Sequence, residues 1–236
     1  MARITVLGRS GTGKSYYLLE QSCPSFNLTV HYDVEDEEPG LSDSNHNPLY
    51  QTLTVDAKTA NKISWGRCLL NHPRLRVVPD DLTQDEQRVL YAEICRQAFR
   101  ICKRRKNISG LVSCDEAHNV LTQHDFPTPC ERLITGGRKH GLECLHISQR
   151  PQLLHSTVIS QADKRVYFAI SDSNDLKKID KTSNFPASKL KALPKRTCIV
   201  ENKDSGEWIE VETDGVGRER PHYSGDDGVL DQHLPV

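Results

Sequence analysis

No stretch of this 236-residue chain approaches the run of about 18 apolar residues that crosses a bilayer, and its N-terminus enters a strand pattern at once instead of presenting a signal peptide. A transmembrane segment is therefore not expected, and the reading is a soluble chain inside a cell. The eight cysteines, Cys23, Cys68, Cys95, Cys102, Cys114, Cys130, Cys144 and Cys198, include no C-x-x-C pair. That spacing excludes zinc-knuckle and haem-attachment patterns and leaves reduced thiols, several of them buried as small apolar groups. Charge of neither sign dominates: 31 Lys and Arg against 32 Asp and Glu leave a formal net charge of −1. A nucleic-acid surface would thus have to be a local patch. Internal repeats are lacking as well.

What is there is an alternation of short β-rich runs with helical ones over a length that suits one α/β domain. Strands are expected at Arg3–Leu7, Leu28–Tyr32, Leu53–Val55, Arg74–Val78, Gly110–Cys114, Glu143–Ser148 and Arg165–Ile170. Thr83 and Glu86 form a capping box for a helix whose Leu90, Ile94, Ala98 and Ile101 share one face and which ends in Lys103-Arg104-Arg105-Lys106. Further helices are expected from about Thr128, near Asp172 to Lys181 and from Ala187 to Ala192. Two β-like runs, Thr197–Glu201 and Glu207–Val211, flank Asp204-Ser205-Gly206 and read as a terminal hairpin. The expected plan is a domain over residues 1–213, its hairpin at about 197–213, and a loose Gly-, Asp- and Pro-rich tail over 214–236. Such alternation predicts a mainly parallel sheet with helices on both faces, and such sheets hold ligands at the carboxyl ends of their strands. All the chemically loaded residues are expected at that edge.

The first of these is Gly8-Arg9-Ser10-Gly11-Thr12-Gly13-Lys14-Ser15, a complete G-x-x-x-x-G-K-S loop between a strand and a helical run. Its glycines let consecutive backbone N–H groups turn inward around phosphate oxygens at the positive end of a helix. Lys14 would reach the β- and γ-phosphates, and the Ser15 hydroxyl would ligate Mg²⁺. The second is Asp115-Glu116 after the strand Gly110–Cys114, a Walker B arrangement. Asp115 would hold the Mg²⁺ shell, and Glu116 would orient or deprotonate the attacking water. Adjacent carboxylates alternate sides along a strand, so both can face a nucleotide only where strand gives way to loop. Asp115-Glu116-Ala117-His118 also spells the DEAH box of helicases, a match discounted here because no second RecA-like domain is found.

The third feature is Gly137-Arg138-Lys139-His140-Gly141 feeding a strand that ends Ser148-Gln149-Arg150-Pro151. This segment resembles one found in the HerA/FtsK superfamily of P-loop ATPases, and the likeness covers about residues 2–171. The resemblance implies ATP as the nucleotide, Gln149 as a polar sensor of the γ-phosphate or lytic water, and an arginine acting in trans on a neighbouring subunit. Arg138 is the choice by position, with Arg132 and Arg150 as rivals. It further implies a homo-oligomeric ring, pentamer or hexamer, that hydrolyses ATP at its subunit interfaces and grips double-stranded DNA through basic residues. Candidates are Lys103–Lys106 or the set Lys177, Lys178, Lys181, Lys189, Lys191 and Lys195. Lacking the N-terminal barrel of HerA proteins and the membrane segments and winged helix of FtsK proteins, the chain resembles the genome-packaging ATPases of membrane-containing icosahedral viruses. That likeness implies action in host cytoplasm or at a virion vertex, against a capsid or membrane partner. The alternatives are a Zot-like phage assembly ATPase, a cellular DNA pump of the same superfamily, a small-molecule P-loop kinase and a nucleotide-binding switch.

Overall fold

The computed structural model describes residues 3–14, 26–36 and 50–213. Ser15, Cys23 and the 214–236 tail lie outside these residues, as does the helical run expected after the glycine-rich loop, except Lys14, which is itself helical.

Among the described residues, nine strands form one sheet in the order β3-β4-β2-β5-β6-β1-β7-β8-β9. They are β1 (Arg3–Leu7), β2 (Leu28–Tyr32), β3 (Gln51–Val55), β4 (Arg74–Pro79), β5 (Gly110–Cys114), β6 (Leu142–Ser148), β7 (Lys164–Tyr167), β8 (Thr197–Asn202) and β9 (Trp208–Glu212). Every neighbouring pair from β3 to β7 is parallel, and the β8–β9 hairpin adds to β7 antiparallel. The central strands β2 and β5 are buried at all five positions, His31 and Ser113 included, as central strands of a parallel sheet are.

Side-chain alternation sorts the core into two clusters. Ile4, Val6, Leu111, Leu145, Ile147, Val166 and Phe168 pack on one face. Leu7, Val112, Cys114, Cys144 and Tyr167 point to the other, where the described helices contribute Leu69, Leu90, Ile94, Ala98, Leu133 and Ile179. Those helices are α1 (Trp65–Asn71), α2 (Gln84–Arg104), α3 (Thr128–Gly136), α4 (Ser156–Ser160) and α5 (Ser173–Asp180). At the head of α2 the Thr83 hydroxyl accepts from Glu86 N (3.3 Å) and Glu86 Oε2 from Thr83 N (2.9 Å), so the expected capping box is formed. None of the seven described cysteines is in a disulfide, and all are buried.

Two expectations are corrected. The strand expected over Arg165–Ile170 ends at Tyr167: Phe168 N still bonds to Leu7 O of β1 (2.7 Å), but Ile170 N turns away to Leu190 O (3.2 Å). The short helices α1 and α4 stand where no helix is expected, being too brief for a helical period to stand out. No described helix is long and apolar enough to cross a membrane.

Candidate active site

Three neighbouring strands, β5, β6 and β1, bring Asp115-Glu116, Ser148–Pro151 and the glycine-rich loop to one edge. Where β1 ends, Gly8 N donates to Ser148 O on β6 (3.2 Å) and Arg9 N to Ala169 O just past β7 (3.0 Å), so the glycine-rich loop rises between two neighbours. A Cβ on Gly8 would stand 2.6 Å from Phe168 Cβ, which restricts that position to glycine. Gly13 has φ +117°, outside the range of ordinary L side chains, and its Cα faces the Phe168 ring. Within the loop Arg9 O accepts from both Thr12 Oγ1 (2.8 Å) and Lys14 Nζ (3.0 Å). Lys14 is thereby buried with its ammonium folded into the loop, at the place where a phosphate chain would meet it. Arg9, Ser10 and Gly11 stay exposed at the loop crest. The expected role of Ser15 falls outside the described residues.

The acidic pair begins one residue past β5. Asp115 N is held by Tyr32 O of β2 (3.0 Å), and Asp115 Oδ1 accepts from Glu116 N (2.8 Å). Glu116 takes a left-handed conformation (φ 44°, ψ 45°), rare for a side chain of its size, and this turns its carboxylate toward β6 instead of along the strand. The two carboxylates share the edge because strand gives way to loop between them, as expected. Glu116 Oε2 lies 3.4 Å from Gln149 N and 3.1 Å from His118 Nδ1. Both acids are more than nine-tenths buried. Burial pushes the neighbouring Cys114 thiol well above its ordinary range, and the carboxylates of Asp115 and Glu116 add to the effect.

Beyond β6 the chain is anchored from α5. Asp175 Oδ1 accepts from Gln152 N (2.7 Å), and Lys178 Nζ donates to the carbonyls of Gln152 and Leu154. Burial raises the Asp175 carboxyl and brings the Lys178 ammonium down to about 8. Lys178 is thus committed to the fold, unlike its exposed companions Lys177, Lys181, Lys189, Lys191 and Lys195.

Not every candidate comes to this edge. Arg138 lies in a 3₁₀ turn, Gly137–His140, that enters β6 at its amino end. The seven residues of β6 hold it roughly 20 Å from Gln149. Its guanidinium is exposed and lies 3.5 Å from Asp163, which also pairs with Arg3. The expectation that all chemically loaded residues gather at the carboxyl edge is therefore corrected, and Arg138 is out of reach of its own chain's loop. Lys103–Lys106 are exposed at the same amino end, where Gly110 N bonds to Gly141 O (2.9 Å) and brings the two basic loops together. Arg132 is exposed on α3, and Arg150 is exposed beside Gln149.

Features that the motifs did not reveal also bear on the site. Arg196, left-handed at φ 67°, donates its backbone N–H to Thr12 O (3.1 Å) and accepts from Thr213 N (2.7 Å), so the base of the β8–β9 hairpin is tied to the glycine-rich loop. Asp33, just past β2, is buried against Arg76 of β4, with Nε to Oδ2 at 3.0 Å. A residue from the far end of the chain and an acid whose partner lies 43 residues away leave no local spacing to recognise.

An open, mostly parallel sheet with a phosphate loop after β1 and an acidic pair after β5 defines a P-loop NTPase fold. Among solved structures the chain is similar to the genome packaging NTPase B204 from Sulfolobus turreted icosahedral virus 2 in complex with AMPPCP. That similarity has a TM-score of 0.65 and 19% identity over 89% of this chain and 96% of that one. With ATP-gammaS the same protein gives a TM-score of 0.64 at 17% identity, covering 89% and 95%. VirB4 of Thermoanaerobacter pseudethanolicus is similar at a TM-score of 0.61 and 11% identity, covering 92% and 90%. No protein-family model matches the chain, and no curated protein matches it in sequence. At these identities the likeness is one of fold, and it is the fold expected from the HerA/FtsK resemblance.

Proposed function

We propose that this chain hydrolyses ATP and couples hydrolysis to the movement of double-stranded DNA, as the motor of a viral genome-packaging ring. The observation that carries the reading is the meeting of Glu116 with the end of β6: a buried carboxylate 3.4 Å from the backbone of the sensor residue Gln149, one strand from the glycine-rich loop. A nucleotide-binding switch gains nothing from such a carboxylate.

The donor set fits Mg²⁺-ATP. Backbone N–H groups of Gly8 to Ser15 and the Lys14 ammonium would hold the phosphates, while Asp115 and the Ser15 hydroxyl would hold the ion. Bound Mg²⁺ supplies neutralisation of charge on the phosphoryl oxygens. Glu116 orients the attacking water and takes its proton, and the Gln149 side chain senses the γ-phosphate or that water. Arg138, exposed at the opposite edge, would act on a neighbouring subunit's nucleotide, which makes turnover depend on assembly. Likeness in fold to a viral genome packaging NTPase supports the cargo, and the exposed basic residues supply phosphate contacts that read no sequence.

Steady-state ATPase assays over a range of protein concentrations, with and without double-stranded DNA, test the reading. The rate per subunit should climb with both, fall by at least about 100-fold in Glu116→Gln, and collapse in Arg138→Ala. A flat, DNA-indifferent rate would return the chain to the kinase or switch class.

A further inference from the structure

His118 is the one polar side chain of the Asp-Glu-Ala-His segment that the hydrolytic reading leaves without work. Its Nδ1 lies 3.1 Å from Glu116 Oε2 and 3.1 Å from Ser148 Oγ, the last residue of β6. The Ser148 contact is a hydrogen bond, and the Glu116 contact sets the imidazole directly against the carboxylate. Ser148 Oγ also accepts from Arg150 N (3.0 Å), which fixes it at the end of β6. The imidazole therefore bridges the carboxylate on the β5 side to the end of β6.

Glu116 needs such a bridge. Its left-handed backbone is a conformation that persists only where the surroundings over-determine it. Glu116 N is held by Asp115 Oδ1 (2.8 Å) and Glu116 O by Asn119 N (2.9 Å), but these fix the main chain and leave the carboxylate free to rotate. At the carboxylate, Gln149 N donates to Oε2 over a long 3.4 Å, and the His118 imidazole stands closer, with Nδ1 at 3.1 Å. His118 itself starts a buried turn: Ala117, next to it, is fully buried, and Leu121 N closes on Ala117 O (2.8 Å).

We propose that His118 is the positioning residue of the water-activating carboxylate. Its imidazole, hydrogen-bonded to Ser148 and set 3.1 Å from the carboxylate, holds Glu116 against the end of β6 and so keeps the base in register with the sensor strand. The proposal rests on the hydrolytic reading above and adds a residue to it.

Asparagine carries its side-chain N–H₂ close to where imidazole Nδ1 stands, whereas glutamine places it near Nε2. Wild type, His118→Asn, His118→Gln, His118→Ala and Glu116→Gln would be compared for single-turnover ATP hydrolysis and for affinity toward a fluorescent ATP analogue, with melting curves to confirm folding. His118→Ala and His118→Gln should lose about 10- to 100-fold in turnover rate, the scale of a base displaced by about an ångström, with ATP affinity within about twofold of wild type. His118→Asn should recover most of the rate. Full activity in His118→Ala, an asparagine variant no better than alanine, or an affinity loss as large as the rate loss would each overturn the assignment. Absent wild-type turnover, or turnover that survives Glu116→Gln, would instead remove the hydrolytic reading and this proposal with it.

Discussion

Among single residues, Glu116 and Arg196 carry positive φ, one beside the end of β6 and one against the glycine-rich loop. Arg76 and Asp33 form a buried ion pair, at 5% and 1% side-chain exposure, with the exposed Asp36 as a third member. Removing Asp33 would leave the Arg76 charge without its buried acceptor. Asp33→Ala should therefore lower stability by about 3 kcal/mol, read as a shift of the urea midpoint at unchanged slope. Gly8 makes a second case, since an added methyl group would stand 2.6 Å from Phe168 Cβ. Gly8→Ala should displace the loop and weaken binding of a fluorescent ATP analogue at least about tenfold, a loss that a titration would measure directly.

At the scale of elements, the β8–β9 hairpin is more than an appendage. Glu201 of β8 is fully buried, accepts from Tyr167 OH (3.0 Å) and Asn184 N (2.7 Å), and pairs with Arg165 of β7 (3.3 Å). The same hairpin, through Arg196 and Thr213, closes on Thr12 of the phosphate loop. Glu201→Ala should cost about 3 to 5 kcal/mol by stranding Arg165, and thermal unfolding would show it as a clear fall in Tm. By contrast, Thr83→Ala at the head of α2 removes one cap from an exposed helix end and should cost only about 1 kcal/mol.

For the whole molecule, acid sensitivity arises from two histidines in the sheet. Burial brings both His31 and His146 down from 6.5 to about 4; at His31 the nearby Asp33 works against this and Arg76 with it. His31 Nδ1 meets Ser113 Oγ (3.0 Å) and His146 Nε2 meets Tyr91 OH (3.0 Å), hydrogen bonds that suit neutral rings. The unfolded chain binds these protons near pH 6.5 and the folded chain only near pH 4, so stability falls as the pH drops through that window. The loss should reach about 2 kcal/mol per histidine at pH 5. Denaturant unfolding at pH 7.5 and pH 5 would reveal it, and His146→Gln should remove about half of the dependence.

Sequence by itself determined the parts of this protein whose physics is local. A phosphate loop needs glycines, a lysine and a helix start within eight residues, and Gly8–Ser15 spells them without help from distant chain. Strands β1, β2 and β5, the capping box of α2 and the terminal hairpin were legible for the same reason, since hydrophobic period, caps and turns act over a few residues. Gln149 was legible only through the likeness of a longer segment. Tertiary structure alone decided what depends on strand order: that β6 stands between β5 and β1 and so brings Ser148, Glu116 and His118 within hydrogen-bonding distance. It also decided that Arg138 and Lys103–Lys106, read from separate motifs, share the amino edge. The physical reason is that parallel strands all run the same way, so the loops entering them gather at one side of the sheet and the loops leaving them at the other.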